Sequence, residues 1–156
     1  MANLPAQQIP LKFATGRKTD IRAQFAALCW RVNIDRVEIC LVTSRTRGRW
    51  ILPKGWPMHK QTPAAAAAME AYEEAGLRGE ALDICLGIYS YIKPLGNVNA
   101  PIVAMVYPVH VQQVLSEWPE KHQRKRKWFS PEKAAKKLEE PALKKIVATF
   151  DPAVLR

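Results

Sequence analysis

Glu70, Glu73 and Glu74 stand at i, i+3 and i+4, a spacing that gathers side chains on one side of a helix. Three like charges there repel each other. No Lys or Arg lies within a turn on that side until Arg78. The cluster also falls near a helix C-terminus, where the macrodipole already disfavours negative charge. A hard divalent cation with oxygen ligands removes both costs, and Mg²⁺ binds carboxylates together with substrate phosphates. Taken alone, the same spacing also describes a plain solvated acidic face.

The flanking sequence supplies the elements that would hold these carboxylates. Thr62 offers an N-cap hydroxyl and Pro63 suits the first helical position. Ala64 to Ala75 are mostly strong helix formers, and Gly76 is placed to close the helix in a left-handed conformation. Ala23–Val32 and Val37–Ser44 read as strands around a polar break, Asn33–Arg36, of hairpin length. Trp50–Leu52 is a short strand, and Gly55–Gln61 an irregular loop. Ile84–Ile92 and Ile102–Val111 read as longer strands, with Pro94–Asn99 as a loop between them. Lys127–Phe129 is a further short strand, and Pro131–Leu138 and Pro141–Phe150 are helices opened by proline. Residues 1–20 show no period and are expected as an extended arm, with 21–156 as one α+β domain.

Composition limits the function classes. The chain has 156 residues, 48% apolar and 24% charged, ordinary values for a globular domain and unlike a coiled coil or a disordered tail. The longest apolar run, Pro63 to Met69, is far too short for a membrane-spanning helix. Cys29, Cys40 and Cys85 have no metal-ligand spacing and read as buried thiols in a reducing compartment, so a cytoplasmic location is expected. The net charge of +10 is uneven. Residues 61–100 hold 2 Lys/Arg against 5 Asp/Glu, whereas 1–60 hold 11 against 3 and 101–156 hold 11 against 6. An acidic centre in a basic shell suits a polyanion held against a divalent metal.

The stretch Gly55 to Leu77 resembles the Nudix box, G-x5-E-x7-R-E-U-x-E-E-x-G-U, where U is a bulky aliphatic residue. Gly55, Glu70, Glu73, Glu74, Gly76 and Leu77 match at the right spacing. The resemblance implies the Nudix α/β/α sandwich, with a mixed sheet and a loop–helix–loop box, and a hydrolase that cleaves a diphosphate linked to another group. It implies Mg²⁺ or Mn²⁺ held by Glu70, Glu73 and Glu74, with Glu70 a ligand or the base that activates water. Gly55 and Gly76 would shape the two loops.

Three positions depart from the pattern: Gln61 for the first glutamate, Met69 for the arginine, and Ala71 for the aliphatic residue. In the family that arginine pairs with a box carboxylate; Met69 can only pack. Gln61 keeps an oxygen in the loop but carries no charge. The alternative reading is therefore a catalytically weakened Nudix-fold module that binds RNA or a nucleotide.

Arg49 to Gly55 and Glu117 to Leu138 are similar to diphosphoinositol polyphosphate phosphohydrolases, the former also to diadenosine polyphosphate hydrolases. A diphosphoinositol polyphosphate or a dinucleoside polyphosphate is the expected substrate. Arg45, Arg47, Arg49, Lys54, Lys60, Arg124 and Arg126 are the candidate phosphate-binding residues, since guanidinium forks match phosphate geometry and lysine adds a point charge. The run Arg124–Lys127 reads equally as a solvated or RNA-binding surface. Glu120 is the candidate distal carboxylate, for metal or as base, with Glu117 as its competitor. The expected partner is a small phosphorylated molecule rather than nucleic acid or membrane.

Overall fold

Phe25, Ala27 and Cys29 are buried on one side of the first strand, and Ala26 and Leu28 on the other. A strand covered on both faces reads as a continuous apolar run, which is why this segment shows little alternation. In the computed structural model, which describes residues 21–155, it is β1 (Arg22–Asn33). The arm expected over 1–20 lies outside the described residues.

The chain continues through β2 (Arg36–Thr43), β3 (Trp50–Ile51), β4 (Lys54–Gly55), α1 (Pro63–Ala75) and β5 (Leu77–Ala81). It then forms β6 (Gly87–Leu95), β7 (Val98–Val114), β8 (Arg126–Phe129), α2 (Pro131–Lys137), α3 (Pro141–Ala148) and a 3₁₀ turn, Pro152–Leu155. The strands make one mixed sheet with the order β3-β2-β1-β7-β5; β4 also pairs with β1, β6 with β7 and β8 with β2. The β1–β7 pairing is parallel, from Arg22 beside Ile102 to Trp30 beside His110. The described pairings of the other strands are antiparallel.

Two cores flank this sheet. On one face α1 lays Ala64, Ala67, Ala71 and Ala75 against Phe25, Cys29, Val42 and Val109. Short side chains bring the helix backbone close to the strands, so Ala71 fits where a larger aliphatic residue was expected from the box. On the other face α2 and α3 place Ala134, Leu138, Leu143 and Val147 against Leu28, Ile39, Leu41, Val106 and Phe129. The result is the expected α/β/α sandwich.

The helix signals in the sequence act as anticipated. Thr62 accepts a hydrogen bond from the Ala65 N–H at 3.1 Å, and Gly76 closes α1 at φ 65°. Several details differ: Lys54–Gly55 forms β4 beside β1 where a loop was expected from Gly55, and the strand expected over Ile102–Val111 runs from Val98 to Val114. β5 was not anticipated: it is short, alternates with the exposed Arg78 and Glu80, and carries a register shift between Arg78 and Gly79. The strand expected from Ile84 begins only at Gly87 and runs on to Leu95. The loop expected over Pro94–Asn99 shrinks to a tight turn at Gly96 and Asn97, because β6 and β7 stay paired to Leu95 and Val98. Cys29 and Cys40 are buried thiols, but Cys85 is exposed.

The β1–β2 hairpin turns on Ile34 and Asp35, with φ 48° and 62°. Two successive left-handed residues define the turn that best matches strand twist, and Asn-Gly fills it without strain. A β-branched residue there is costly, and Ile34 is 88% exposed, so it gains no burial in return. Replacing Ile34→Asn together with Asp35→Gly is expected to stabilise the fold by about 1 kcal/mol. Thermal unfolding would show this as a rise of roughly 2–4 °C; a fall in melting temperature would contradict it.

Candidate active site

One end of the sheet opens into a cavity of about 820 Å³. The helix α1 contributes Glu70 and Glu74, and β4 contributes Lys54 and Gly55. The loop after β2 supplies Arg45, Arg47 and Arg49, β6 supplies Tyr91 and Lys93, and the turn before β8 supplies Glu120 and Arg124. Residues far apart in sequence therefore meet because β4 is inserted beside β1 while β2 and β8 carry their loops to the same end.

Glu70 and Glu74 lie one helical turn apart and are 9% and 5% exposed. Burial, then the neighbouring Glu74 carboxylate and a hydrogen bond shared with it, push the Glu70 pKa up to about 8. Burial also raises Glu74, against the pull of Arg124 and Lys54. With both carboxyls ionised, Glu74 Oε1 is buried without a donor. A shared proton or a bound cation would satisfy it. Gly55 makes this enclosure possible, since a β-carbon there would overlap the Glu70 carboxylate.

Glu73 occupies the flank of the same helix. It is half-buried and does not line the cavity, although its charge adds to the rise at Glu70. Its backbone carbonyl receives the Glu120 N–H at 3.0 Å, which ties the distal turn to the helix. The expected trio is thus an enclosed pair with a third carboxylate beside it. Among the described residues, no three His, Cys, Asp or Glu side chains converge in a ready-made metal cluster.

Of the two distal candidates, Glu120 lines the cavity, whereas Glu117 is exposed and paired with Lys121 at 2.7 Å. Glu120 is held by Arg124 at 2.9 Å and lies 3.9 Å from Arg45. Lys54 sits deep in the cavity; burial lowers its pKa to about 8 while Glu74 opposes the fall. Arg49 reaches the cavity but pairs with Glu139 and Glu140.

Two expected phosphate ligands stand elsewhere. Lys60 is exposed in a left-handed turn outside the cavity. Arg126 donates to the carbonyls of Ala75 and Leu115 at 2.8 and 3.0 Å and lies 4.1 Å above the Trp118 ring. Trp118 packs on Gly76 and donates to the Glu74 carbonyl at 3.2 Å. Arg126 and Trp118 therefore close the C-terminal end of α1, where carbonyls lack intrahelical donors. Arg124 and Arg126 are two residues apart, the spacing that shares a face within a strand, but β8 begins only at Arg126, so Arg124 is free to point elsewhere. Gln61 and Met69 also lie outside the cavity wall.

Sequence reasoning missed Lys93 and the role of Trp56. Both line the cavity, and the Lys93 ammonium lies 5.9 Å from the Trp56 ring centroid. Their proximity depends on the sheet, in which β6 pairs with β7, β7 with β1 and β1 with β4, an order for which local sequence carries no signal.

Comparison with known proteins agrees with this architecture. The NUDIX domain family model matches residues 22–150. The chain belongs to the Nudix family. It is 32% identical over 132 residues to diphosphoinositol polyphosphate phosphohydrolase 2 of Rattus norvegicus, covering 83% of this chain and 70% of that protein. To the human diphosphoinositol polyphosphate phosphohydrolase 3-alpha it is 34% identical over 116 residues, covering 73% and 67%. The fold is similar to a C. elegans Ap4A hydrolase, with a TM-score of 0.60 and 17% identity over 86% of this chain and 98% of that one. It is also similar to a MutT protein from Methanosarcina mazei, with a TM-score of 0.59 and 18% identity over 90% and 100%. This Nudix chain is a hydrolase of the phosphohydrolase type.

The enclosed carboxyl pair makes a prediction for the metal-free protein. Between the ordinary 4.5 and about 8, Glu70 is protonated in the fold and ionised in the unfolded chain. The unfolded state binds fewer protons over that window, so stability falls as pH rises through it. Melting in EDTA from pH 5 to 9 should show this decline. Glu70→Gln, which keeps a permanent donor facing Glu74, should flatten it; an unchanged slope in that variant would refute the assignment.

Proposed function

We propose that this Nudix hydrolase cleaves a phosphoanhydride bond in a small, highly phosphorylated substrate, and that it depends on Mg²⁺ or Mn²⁺. The observation that carries this reading is the juxtaposition in one cavity of the Glu70–Glu74 pair, with its unsatisfied buried oxygen, and the basic residues Arg45, Arg47, Lys54 and Lys93. Diphosphoinositol polyphosphates and dinucleoside polyphosphates are the favoured substrates. The rat relative and the worm structure carry those substrates in their names, and a cavity with this many cations suits either.

The donor set fits a small hard cation. Glu70 and Glu74 would hold it, with Glu120 across the cavity and Glu73 on the flank as the further carboxylates. When bound, the ion neutralises diphosphate charge and lowers the pKa of a coordinated water. The chain's own residues do the rest. Arg45 and Arg47, at the open side, draw in the polyanion. Lys54 and Lys93 stabilise charge that builds on phosphoryl oxygens in a poorly hydrated space. A carboxylate of this cluster takes the proton of the attacking water. Trp56 and Tyr91 bound the substrate from the wall. The unpaired thiols Cys29, Cys40 and Cys85 suit work in the cytoplasm.

Phosphate release from a panel of diphosphoinositol polyphosphates and dinucleoside polyphosphates tests this reading. Turnover is expected with Mg²⁺ or Mn²⁺ and should vanish in EDTA. Glu74→Gln should lower kcat by about 100-fold or more. Failure of the wild-type protein to hydrolyse any member of the panel would overturn the proposal.

A further inference from the structure

The guanidinium of Arg124 is held on all sides. Nε donates to Glu120 Oε1 at 3.0 Å, and Nη2 lies 2.9 Å from that oxygen and 3.6 Å from Glu74 Oε2. Nη1 donates to the Thr43 carbonyl at 3.1 Å. The side chain is 7% exposed, as is that of Glu74. Three segments therefore fix one plane: the end of β2, the helix α1 and the turn before β8. To swing onto a substrate phosphate, Arg124 would abandon a backbone carbonyl and a buried carboxylate. Leaving a buried charge without its partner costs several kcal/mol.

At the same time α1 lacks a cation of its own. Met69 precedes Glu70, is 39% exposed and carries no charge, and the helix has no basic residue in its last turn. Arg124 forms an ion pair with Glu74 Oε2 at 3.6 Å, longer than a hydrogen bond, while Oε1 is the buried oxygen without a donor. The guanidinium thus lies on the Oε2 side of the carboxylate, and the donorless oxygen is the other one.

Resting on the hydrolase reading above, we propose that Arg124 is a positioning residue for Glu74. An arginine brought in by the turn before β8 supplies the box carboxylate with the fixed cation that Met69 does not. This differs from the phosphate-binding role expected of Arg124 from sequence.

Arg124→Lys tests the proposal because it keeps the charge but not the fork, which is what orients two carboxylates and a carbonyl together. Circular dichroism would establish that the variant is folded. Mn²⁺ binding, followed by electron paramagnetic resonance without substrate, should weaken about 10-fold, and kcat should fall roughly 10- to 100-fold, the usual cost of losing a residue that orients a metal ligand. KM should stay within about threefold. Arg124→Gln, measured alongside, should lose at least as much kcat. If Arg124 is only a counter-charge, the lysine variant matches wild type in Mn²⁺ affinity and kcat, and the proposal falls. If Arg124 is a phosphate ligand, KM rises while Mn²⁺ binding is retained, and the proposal falls equally. A wild-type protein that binds no Mn²⁺ would sink the hydrolase reading and this inference together, an outcome distinct from the other two.

Discussion

The whole site depends on two carboxyl groups being forced together out of water. Glu70 and Glu74 are four residues apart on a helix whose inner face is alanine, so the helix lies close against the sheet and carries both groups into an enclosed space. Such a pair cannot hold two full charges without help. Most of the surrounding detail can be read as that help. Gly55 has no side chain where Glu70 needs room. Lys54 and Arg124 offset the charge on Glu74. The stability that the protein forgoes in this corner is supplied by the two apolar cores on either side of the sheet. On the proposed reading, a divalent cation and a polyanion would relieve this tension jointly.

Closure of the α1 C-terminus serves the same end. The C-terminal end of the helix is electronegative, so its dipole adds to the repulsion within the acidic cluster. Arg126 spends its guanidinium on the Ala75 and Leu115 carbonyls, and Trp118 donates to that of Glu74. The neighbouring arginines of one basic run thus do unlike work: Arg124 faces carboxylates and Arg126 faces backbone.

Much of this was legible in the sequence, and the boundary between legible and hidden has a physical basis. The cap at Thr62, the closing glycine at Gly76 and the carboxylate spacing are local, so residue type alone announces them. The β1–β2 hairpin and both C-terminal helices carry turn and proline signals of the same kind. Hidden features are those settled by partners distant along the chain. Helical spacing places Glu73 near Glu70 and Glu74, but only the packing of α1 on the sheet decides which of the three is enclosed. The run Arg124–Lys127 shows abundant charge and no indication of what each residue would meet. Lys93 and Trp56 come together only through the sheet order that links β6, β7, β1 and β4. Gly79 in β5 gave no strand signal, yet the His110 backbone crosses where its β-carbon would stand.

The parallel match between β1 and β7 has a kinetic corollary. Arg22 pairs with Ile102 and Trp30 with His110, so the central seam of the sheet joins segments separated by most of the domain. Closing so large a loop is entropically slow, and high contact order retards folding. During synthesis β1 and β2 leave the ribosome long before β7 exists to cover them. An apolar strand, Ala23 to Cys29, then waits with one edge unpaired, a state prone to self-association. Yield of this protein in a cell should accordingly be governed by how quickly its seventh strand arrives, more than by the strength of the finished fold.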